Sequence, residues 1–483
     1  MEAPLNPNMH TALERDEIPD RTKISIPVNN QPSFTPRKLR AIIIGAGYSS
    51  LTLVHKLRHQ HPEMEDILTY KIFEARSDIG GTWLVNTYPG VQCDVPAHIY
   101  FYVGGPEIHD YIKRIVEKWN LDRDVQLNTK VVGTYWQEQQ GSWKVVVEHN
   151  GVQREEYAEV LISGQGFLNL WKWPDIKGLE SFKGKKVHSA KWDHSYDYSG
   201  KRIAVIGNGS SGIQILPQLA KLEGTDVTSF QRGPTWVISR MSAAKLLGRD
   251  DISPNPEYTE EDQRRFTEDP KYHNEYRKQL IHQHEVHTAD GQAVEVDVIV
   301  CATGFDVSHC PHYPVIGRDQ TSLAKKWADE PESYLSLACP QFPNYFIFTG
   351  PNAVVGHGSL VEGLGWVAEY MIKWIKKMAT EDIKSVAPKQ DVVDEFVTYG
   401  DEILKTLTWT GGCRSWYKKG RVDGRVTAAF AGSALLFKRF VSEIRGEDFE
   451  IQYRSPNRFK MMGNGFTEYE LDDANDLAWY IEK

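Results

Sequence analysis

The chain has little cysteine, no long apolar run and no surplus of positive charge. Its 483 residues include five cysteines (Cys93, Cys301, Cys310, Cys339 and Cys413), an odd number with no CxxC pair. That pattern argues against a disulfide framework or a dithiol redox centre and reads as reduced thiols in an intracellular protein. No segment approaches the ~20 apolar residues of a membrane span. The opening MEAPLNPNMHTALERDEIPDR lacks the basic-then-apolar order of a secretory signal. A cytoplasmic protein without a stable membrane anchor is the expectation. The formal charge of −9 is spread along the chain, which leaves no basic face for a nucleic acid.

What is present is an ordinary globular composition, 40% hydrophobic and 25% charged, on a length that suits two or three domains. Residues 1–37, with several prolines and few large apolar groups, read as an extended or disordered arm.

The first strong motif is RAIIIGAGYSSLTLVHKLRHQ. Ile42 to Ile44 make a buried strand, Gly45 and Gly47 a tight turn, and Leu51, Val54 and Leu57 the apolar face of a helix. Gly47 lets backbone N–H groups approach a diphosphate at the positive helix end, and Ser50, a small residue, stands where a third glycine is usual. Glu74 ends the next strand 24 residues after Ser50, where a carboxylate accepts from ribose hydroxyls and repels a 2′-phosphate. The second copy, KRIAVIGNGSSGIQILPQLA, has all three glycines, Gly207, Gly209 and Gly212. Arg232 follows 20 residues after Gly212, and its fork suits the 2′-phosphate of NADPH. FAD first and NADPH second is the pairing this implies, with hydride passing from nicotinamide to flavin. The expected fold is α/β, with two Rossmann-like dinucleotide-binding domains.

A third strand-to-glycine segment, VDVIVCATGFD (Val296–Asp306), is similar to the return point of flavin reductases that bind two dinucleotides. The NADPH domain is thereby an insertion in the FAD domain. The expected boundaries are a first FAD part at 38–170, a linker at 171–200, a shortened NADPH domain at 201–294, and a second FAD part with the C-terminal region at 295–483. Within the last part, EGLGWVAEYMIKWIKKM has helical apolar spacing and reads as a core helix rather than a membrane surface.

FKGKKVHSAKWD (Phe182–Asp193) fits the FxGxxxHxxxW(P/D) fingerprint of type I Baeyer–Villiger monooxygenases, and GGTWLVNTYPGVQCD (Gly80–Asp94) resembles their second signature. FTGPNAVVGHGSL and CRSWYKKGRVDGRVTAAFAGSALLF are similar to the fungal branch of the family, including monooxygenases of the sterigmatocystin and aflatoxin pathways. The resemblance spans about residues 38–480. It implies a FAD- and NADPH-dependent enzyme that uses O2 to insert one oxygen beside the carbonyl of a small-molecule ketone, aromatic or polyketide in kind. The product is an ester or lactone; N- or S-oxygenation is the alternative chemistry.

The resemblance also implies roles. Asp94 and His188 are the catalytic candidates: Asp94 lies beside the flavin and orients an arginine, and His188 couples domain motion to catalysis. A cap on the turn after YPG for Asp94, and a structural histidine for His188, remain open beside these. Gly184 allows a bend in the linker, and His188 and Trp192 share one side of it. FAD is expected to contact Gly45, Gly47, Ser50, Glu74, Gly81, Thr82, Trp83, Asn86, Asp94, Tyr100, Val132, Gly304 and Asp306. NADPH is expected to contact Gln92, Cys93, Asp94, Gly207, Asn208, Gly209, Ser210, Ser211, Gly212, Ile213, Gln214, Arg232 and Gly233.

The sequence departs from the family between QRGPTW and CATGFD. Arg232 and Ala302 are only 70 residues apart, and no CRRxTPG-type segment, the source of the family's catalytic cation, lies between them. A smaller gap falls between Tyr102 and Gly105. Three readings stay open: an incomplete translation or splice form, a variant recruiting Arg264, Arg265 or Arg277 as the cation, and a flavin-binding protein impaired in catalysis. Loss of strands and helices should also weaken folding of the NADPH domain. HQHEVH (His282–His287) marks this seam; in an extended segment its three histidines do not converge, and no metal is expected.

Overall fold

The computed structural model describes residues 28–93, 104–231, 264–265, 268–269, 296–355, 359–412, 415–472 and 474–478. Its strands begin with β1 (Leu39–Ile44), β2 (Leu68–Phe73) and β3 (Val125–Gln126). A meander follows, β4 (Thr129–Gln137), β5 (Ser142–His149) and β6 (Val152–Ala158), then β7 (Val160–Ser163). Next come β8 (Lys185–His188), β9 (Arg202–Ile206), β10 (Asp226–Phe230) and β11 (Val298–Cys301). The last are β12 (Val315–Ile316), β13 (Tyr345–Ile347), β14 (Ile383–Pro388) and β15 (Phe449–Tyr453). Helices α1 (Tyr48–His59), α2 (Thr82–Val85), α3 (Gly105–Trp119) and α4 (Ser210–Leu219) frame the site.

The first sheet has the order β3-β2-β1-β7-β13 and is parallel throughout. A parallel sheet covered on both faces needs continuous apolar strands. Accordingly Ala41 to Ile43 have no accessible surface, and β7 is buried along its length. The helix Leu360–Thr380 packs on α1 and buries Met371, Trp374, Ile375 and Met378, so the apolar stripe read from its spacing is core.

The second sheet, β10-β9-β11-β8, is also parallel throughout. Its strands fall in sequence between β7 and β13, neighbours in the first sheet. The chain therefore leaves the first sheet, builds the second and returns, which is the expected α/β insertion. One expectation needs correction. The fingerprint is not free linker: Lys185–His188 is the outer strand of the second sheet, paired in register with Val298–Cys301. Periodicity missed it because a four-residue strand carries too short a pattern.

Among the described residues, the core beneath the second sheet is small. It comprises Val187, Tyr198, Ile203, Val205, Ile215, Leu219, Val298, Val300 and Ala302, completed by Tyr88 and Val91 from the loop after α2. Among the described residues, the inserted unit thus shares its core with apolar groups from the unit that holds the first turn. The meander forms a third sheet with β12, centred on the buried Trp143. Among the described residues, no helix is long and apolar enough to cross a membrane.

Candidate active site

The first turn leaves β1 at Gly45 and enters α1 at Tyr48. Across it lies Gly81, the residue before α2, close enough that a Cβ on Gly81 would stand 3.1 Å from the Gly47 Cα, and one on Gly47 3.6 Å from the Gly81 Cα. The two backbones thus approach each other closely beside the α1 N-terminus, where a diphosphate is expected and where a side chain on Gly81 would press on Gly47. Ser50 is fully buried, and a Cβ on Gly164, just after β7, would collide with its Oγ. Serine replaces the third glycine here because Gly164 supplies the missing space.

Glu74 is buried, and its carboxylate holds the turn. Oε2 accepts from the Ala46 N–H at 2.8 Å and Oε1 from the Arg76 N–H at 2.9 Å. A carboxylate has about four acceptor positions, so capacity for ribose hydroxyls remains. Thr82 and Trp83 open α2, and Asn86 closes it, its Nδ2 donating to the Thr82 carbonyl at 2.9 Å. Val132 sits at an irregularity in β4, where the register with β5 shifts between Val131 and Gly133.

The second turn leaves β9 at Gly207 and enters α4 at Ser210. A Cβ on Gly212 would run into the Gly207 carbonyl, whereas one on Gly209 would meet nothing within 4 Å. Gly212 is thus fixed by packing, and Gly209 borders open space at the helix N-terminus, with Asn208, Ser210 and Ser211 around it. Gln214 reaches from α4 to Gln92, beside Cys93, on the loop after α2: its Nε2 donates to the Gln92 carbonyl at 3.1 Å. The residues expected to hold NADPH therefore come from both units.

His188 ends β8 and is 1% exposed. Its Nδ1 accepts from the Ala190 N–H at 3.1 Å, which puts the ring proton on Nε2, facing Thr303 Oγ1 at 3.3 Å. Trp171 stacks on the ring at 4.4 Å and Trp173 meets it edge-on. Burial lowers its pKa to about 4, so the imidazole is neutral near pH 7 and is not a proton donor there. It props the two crossing segments, 164–171 and 302–306, against each other. Trp171 and Thr303 went unnoticed in the sequence; the WKW run before the fingerprint was the available signal.

Gly184 also needs correction. Its φ is not in the left-handed region; instead a Cβ there would strike the Asp297 carbonyl and the Phe182 ring. Close approach, not a bend, demands glycine. Trp192 stacks on Tyr198 at 4.9 Å, while His188 packs on Trp171, so the two do not share a partner. Asp193 ion-pairs with Lys185, and it accepts from the Ser195 N–H at 2.9 Å. Hydrogen bonds from Lys185 and Ser195 hold its pKa far below the ordinary carboxylate value.

Gly304 has φ +82°, and Asp306 donates its N–H to the Leu170 carbonyl at 2.7 Å, tying the return crossover to the outgoing one. Burial raises the Asp306 pKa, but hydrogen bonds from Ser308 outweigh it and the net shift is downward. Asp94, Tyr100, Arg232, Gly233, Arg277 and the HQHEVH run lie outside the described residues. Arg264 is exposed and paired with Glu268 at 3.1 Å. Among the described residues, no cluster of His, Cys, Asp or Glu has the make-up of a metal site.

Two parallel sheets, each ending in a glycine turn at a helix N-terminus and joined by paired crossovers, define a protein built to hold two dinucleotides. The flavin-binding monooxygenase-like family model matches residues 91–246, and the NAD(P)-binding Rossmann-like domain model matches residues 43–115. The chain is 37% identical to the FAD-binding monooxygenase tazF of Aspergillus terreus, covering 93% of this chain and 96% of that protein. It is 29% identical to a Baeyer-Villiger monooxygenase of Pseudomonas aeruginosa, over 88% of this chain and 94% of the relative. The crystal structure of cyclohexanone monooxygenase from Rhodococcus sp. Phi1 bound to NADP+ shares the fold, with a TM-score of 0.67 and 22% identity over 87% of this chain and all of that one. The chain belongs to the FAD-binding monooxygenases. The 543-position alignment with the Aspergillus protein is longer than the 483-residue chain itself, so that relative carries segments with no counterpart here.

Proposed function

We propose that this FAD- and NADPH-dependent monooxygenase carries out a Baeyer–Villiger oxidation, inserting one atom of O2 beside the carbonyl of an aromatic or polyketide ketone to give an ester or lactone. The observation that carries the reading is the fingerprint strand itself: His188, Trp192 and Asp193 are built into the second sheet and its adjoining loop, beside the crossovers that join the two dinucleotide turns. FAD, when bound, supplies the oxygen-activating chemistry and NADPH the electrons.

The chain's own groups bind and orient. The α1 N-terminus, bare of side chains at Gly47 and Gly81, faces one diphosphate, Glu74 has acceptor capacity for its ribose, and the open N-terminus of α4 faces the second. His188, neutral and walled by Trp171 and Trp173, excludes water from the crossover and fixes the distance between the turns.

A second reading, a flavin-binding protein that does not complete the oxygenation, is favoured by the absent CRRxTPG-type segment. Turnover of an FAD-loaded sample with NADPH, 18O2 and an aryl ketone separates the two. Label in an ester or lactone supports the proposal, and label only in an N- or S-oxide of a mixed substrate overturns it. Absence of NADPH-driven flavin bleaching supports the second reading.

A further inference from the structure

The loop Asn86–Cys93 joins α2, at the first turn, to α4, at the second, through an unbroken set of contacts. On the α4 side, the Gln214 amide pairs with the Gln92 backbone in both directions. Its Oε1 accepts from the Gln92 N–H at 3.3 Å and its Nε2 donates to the Gln92 carbonyl at 3.1 Å. The same Oε1 accepts from the Tyr88 hydroxyl at 3.0 Å, and the Tyr88 oxygen accepts from Ser211 Oγ at 3.3 Å. Ser211 lies in the first turn of α4, whose N–H groups point at the cofactor position.

Tyr88 and Gln214 are each 7% exposed, so the centre of the network is shielded from water, with Gln92 and Ser211 half-buried at its ends. Gly90 has φ +81°, and a Cβ on it would stand 2.6 Å from the Gln214 carbonyl, so the loop could not seat against α4 with any other residue. The fingerprint loop grips it from the other side, His194 Nε2 lying 2.9 Å from Thr87 Oγ1. At the far end, Asn86 closes α2, and α2 begins at the Gly81 backbone that faces Gly47.

We propose that this loop is a latch coupling the two dinucleotide turns, and that Tyr88 and Gln214 are positioning residues through which NADP(H) at α4 fixes the FAD cradle at Gly81. The proposal rests on the two-cofactor reading, but not on the Baeyer–Villiger reaction. The physical ground is that an interlocked polar network around two buried side chains has few alternative arrangements. Ordering the first turn of α4 around a dinucleotide orders Ser211, hence Tyr88, hence the end of α2. Such coupling must be reciprocal: NADP+ tightens FAD by the factor by which FAD tightens NADP+.

The test uses the full-length chain and binding alone. The dissociation constant of FAD is measured by flavin fluorescence with and without saturating NADP+, in the wild type and in Tyr88→Phe, Gln214→Met and the double variant. Tyr88→Phe keeps the ring in the second core, and Gln214→Met keeps the side-chain volume, so both leave the packing in place. The wild type should show a ratio of about fivefold or more, the lower end of ordinary coupling between sites. Each variant should bring it below about twofold, and Tyr88→Phe, at a residue outside both expected binding sets, should do so while the affinity for each cofactor alone changes by less than about threefold. The double variant should lose no more than either single one, because both break one network.

A wild-type ratio near one overturns the latch, as does a ratio that survives both substitutions. Equal weakening of each cofactor bound separately by Tyr88→Phe also overturns it, since that is what mere scaffolding would give. An enzyme that shows the coupling yet forms no ester or lactone leaves the latch standing and sinks the reaction instead.

Discussion

Replacing Gly209 by alanine should leave the fold intact and cost the protein its grip on NADP(H), whereas the same change at Gly212 should damage the fold. At Gly209 an added Cβ meets nothing within 4 Å, and the backbone, at φ −74° and ψ −176°, is one that alanine adopts without strain. Two small terms oppose each other. Restricting the unfolded chain favours alanine by about 0.4–1 kcal/mol, and loss of glycine at a helix N-cap disfavours it by roughly 0.5–1 kcal/mol. The net change in stability should be within about 0.5 kcal/mol. The new methyl, however, occupies the mouth of the turn, where phosphate oxygens must come within hydrogen-bond distance of the α4 N–H groups. An affinity loss of at least tenfold, about 1.4 kcal/mol, is expected. At Gly212 the Cβ would fall inside contact distance of the Gly207 carbonyl. Overpacking of this kind costs about 1–3 kcal/mol, taken from a core that already borrows Tyr88 and Val91. Thermal melts with NADP+ titrations on both variants decide the matter. A Gly209→Ala protein that binds NADP+ like the wild type, or that melts below Gly212→Ala, would refute the assignment of this turn.

Gly164→Ala should drive the Ser50 side chain out of its place and lower FAD content, and adding Ser50→Gly should restore part of it, read as bound flavin per chain. An equally depleted double variant would show that the two residues do not share the space. His188 gives a pH dependence. Its folded pKa of about 4 lies below the ordinary 6.5, so the unfolded chain binds the proton more readily. Its stabilisation is complete above pH 6.5 and is lost as pH falls towards 4. Between pH 7 and 5 this amounts to at most about 2 kcal/mol. His188→Gln should flatten the fall in melting temperature over that range, and an unchanged slope counts against the buried neutral ring. Glu74→Ala leaves the Ala46 and Arg76 N–H groups without their acceptor, at about 1–3 kcal/mol for the buried Ala46 donor and less for the half-exposed Arg76. Lower FAD affinity together with a lower melting point is expected, and wild-type behaviour in both would exclude Glu74 as the brace of the turn.

The glycine turns were legible because they combine two local signals, an apolar strand and a helix with a 3.6-residue period, around residues that steric rules single out. The insertion was legible for a related reason: β11 announces itself as an apolar run ending in a glycine. What the sequence concealed was cross-chain. Ser50 looked like a tolerated replacement, but its partner, Gly164, is more than a hundred residues away, and no local pattern links them. Gly184 suggests a bend because glycine often makes one, while the actual constraint is the Asp297 carbonyl just before the neighbouring strand. His188 could be placed near the crossovers by resemblance, yet its neutrality follows from burial between Trp171 and Thr303. Contacts set by the fold, unlike periodicity, leave no trace in spacing.

These contacts bear on how a shortened insertion holds together. Among the described residues, the second unit packs one helix, α4, on its four strands. It is completed from outside: Tyr88 and Val91 enter its core, and Trp83 packs against that core as well as the first one. A unit stabilised by its neighbour unfolds with that neighbour rather than before it. The weakening expected from sequence should therefore appear as a single cooperative transition whose midpoint rises with FAD as well as with NADP+. A calorimetric trace with a separate early peak that FAD does not move would show the insertion folding independently, and the borrowed core would then carry little of its stability.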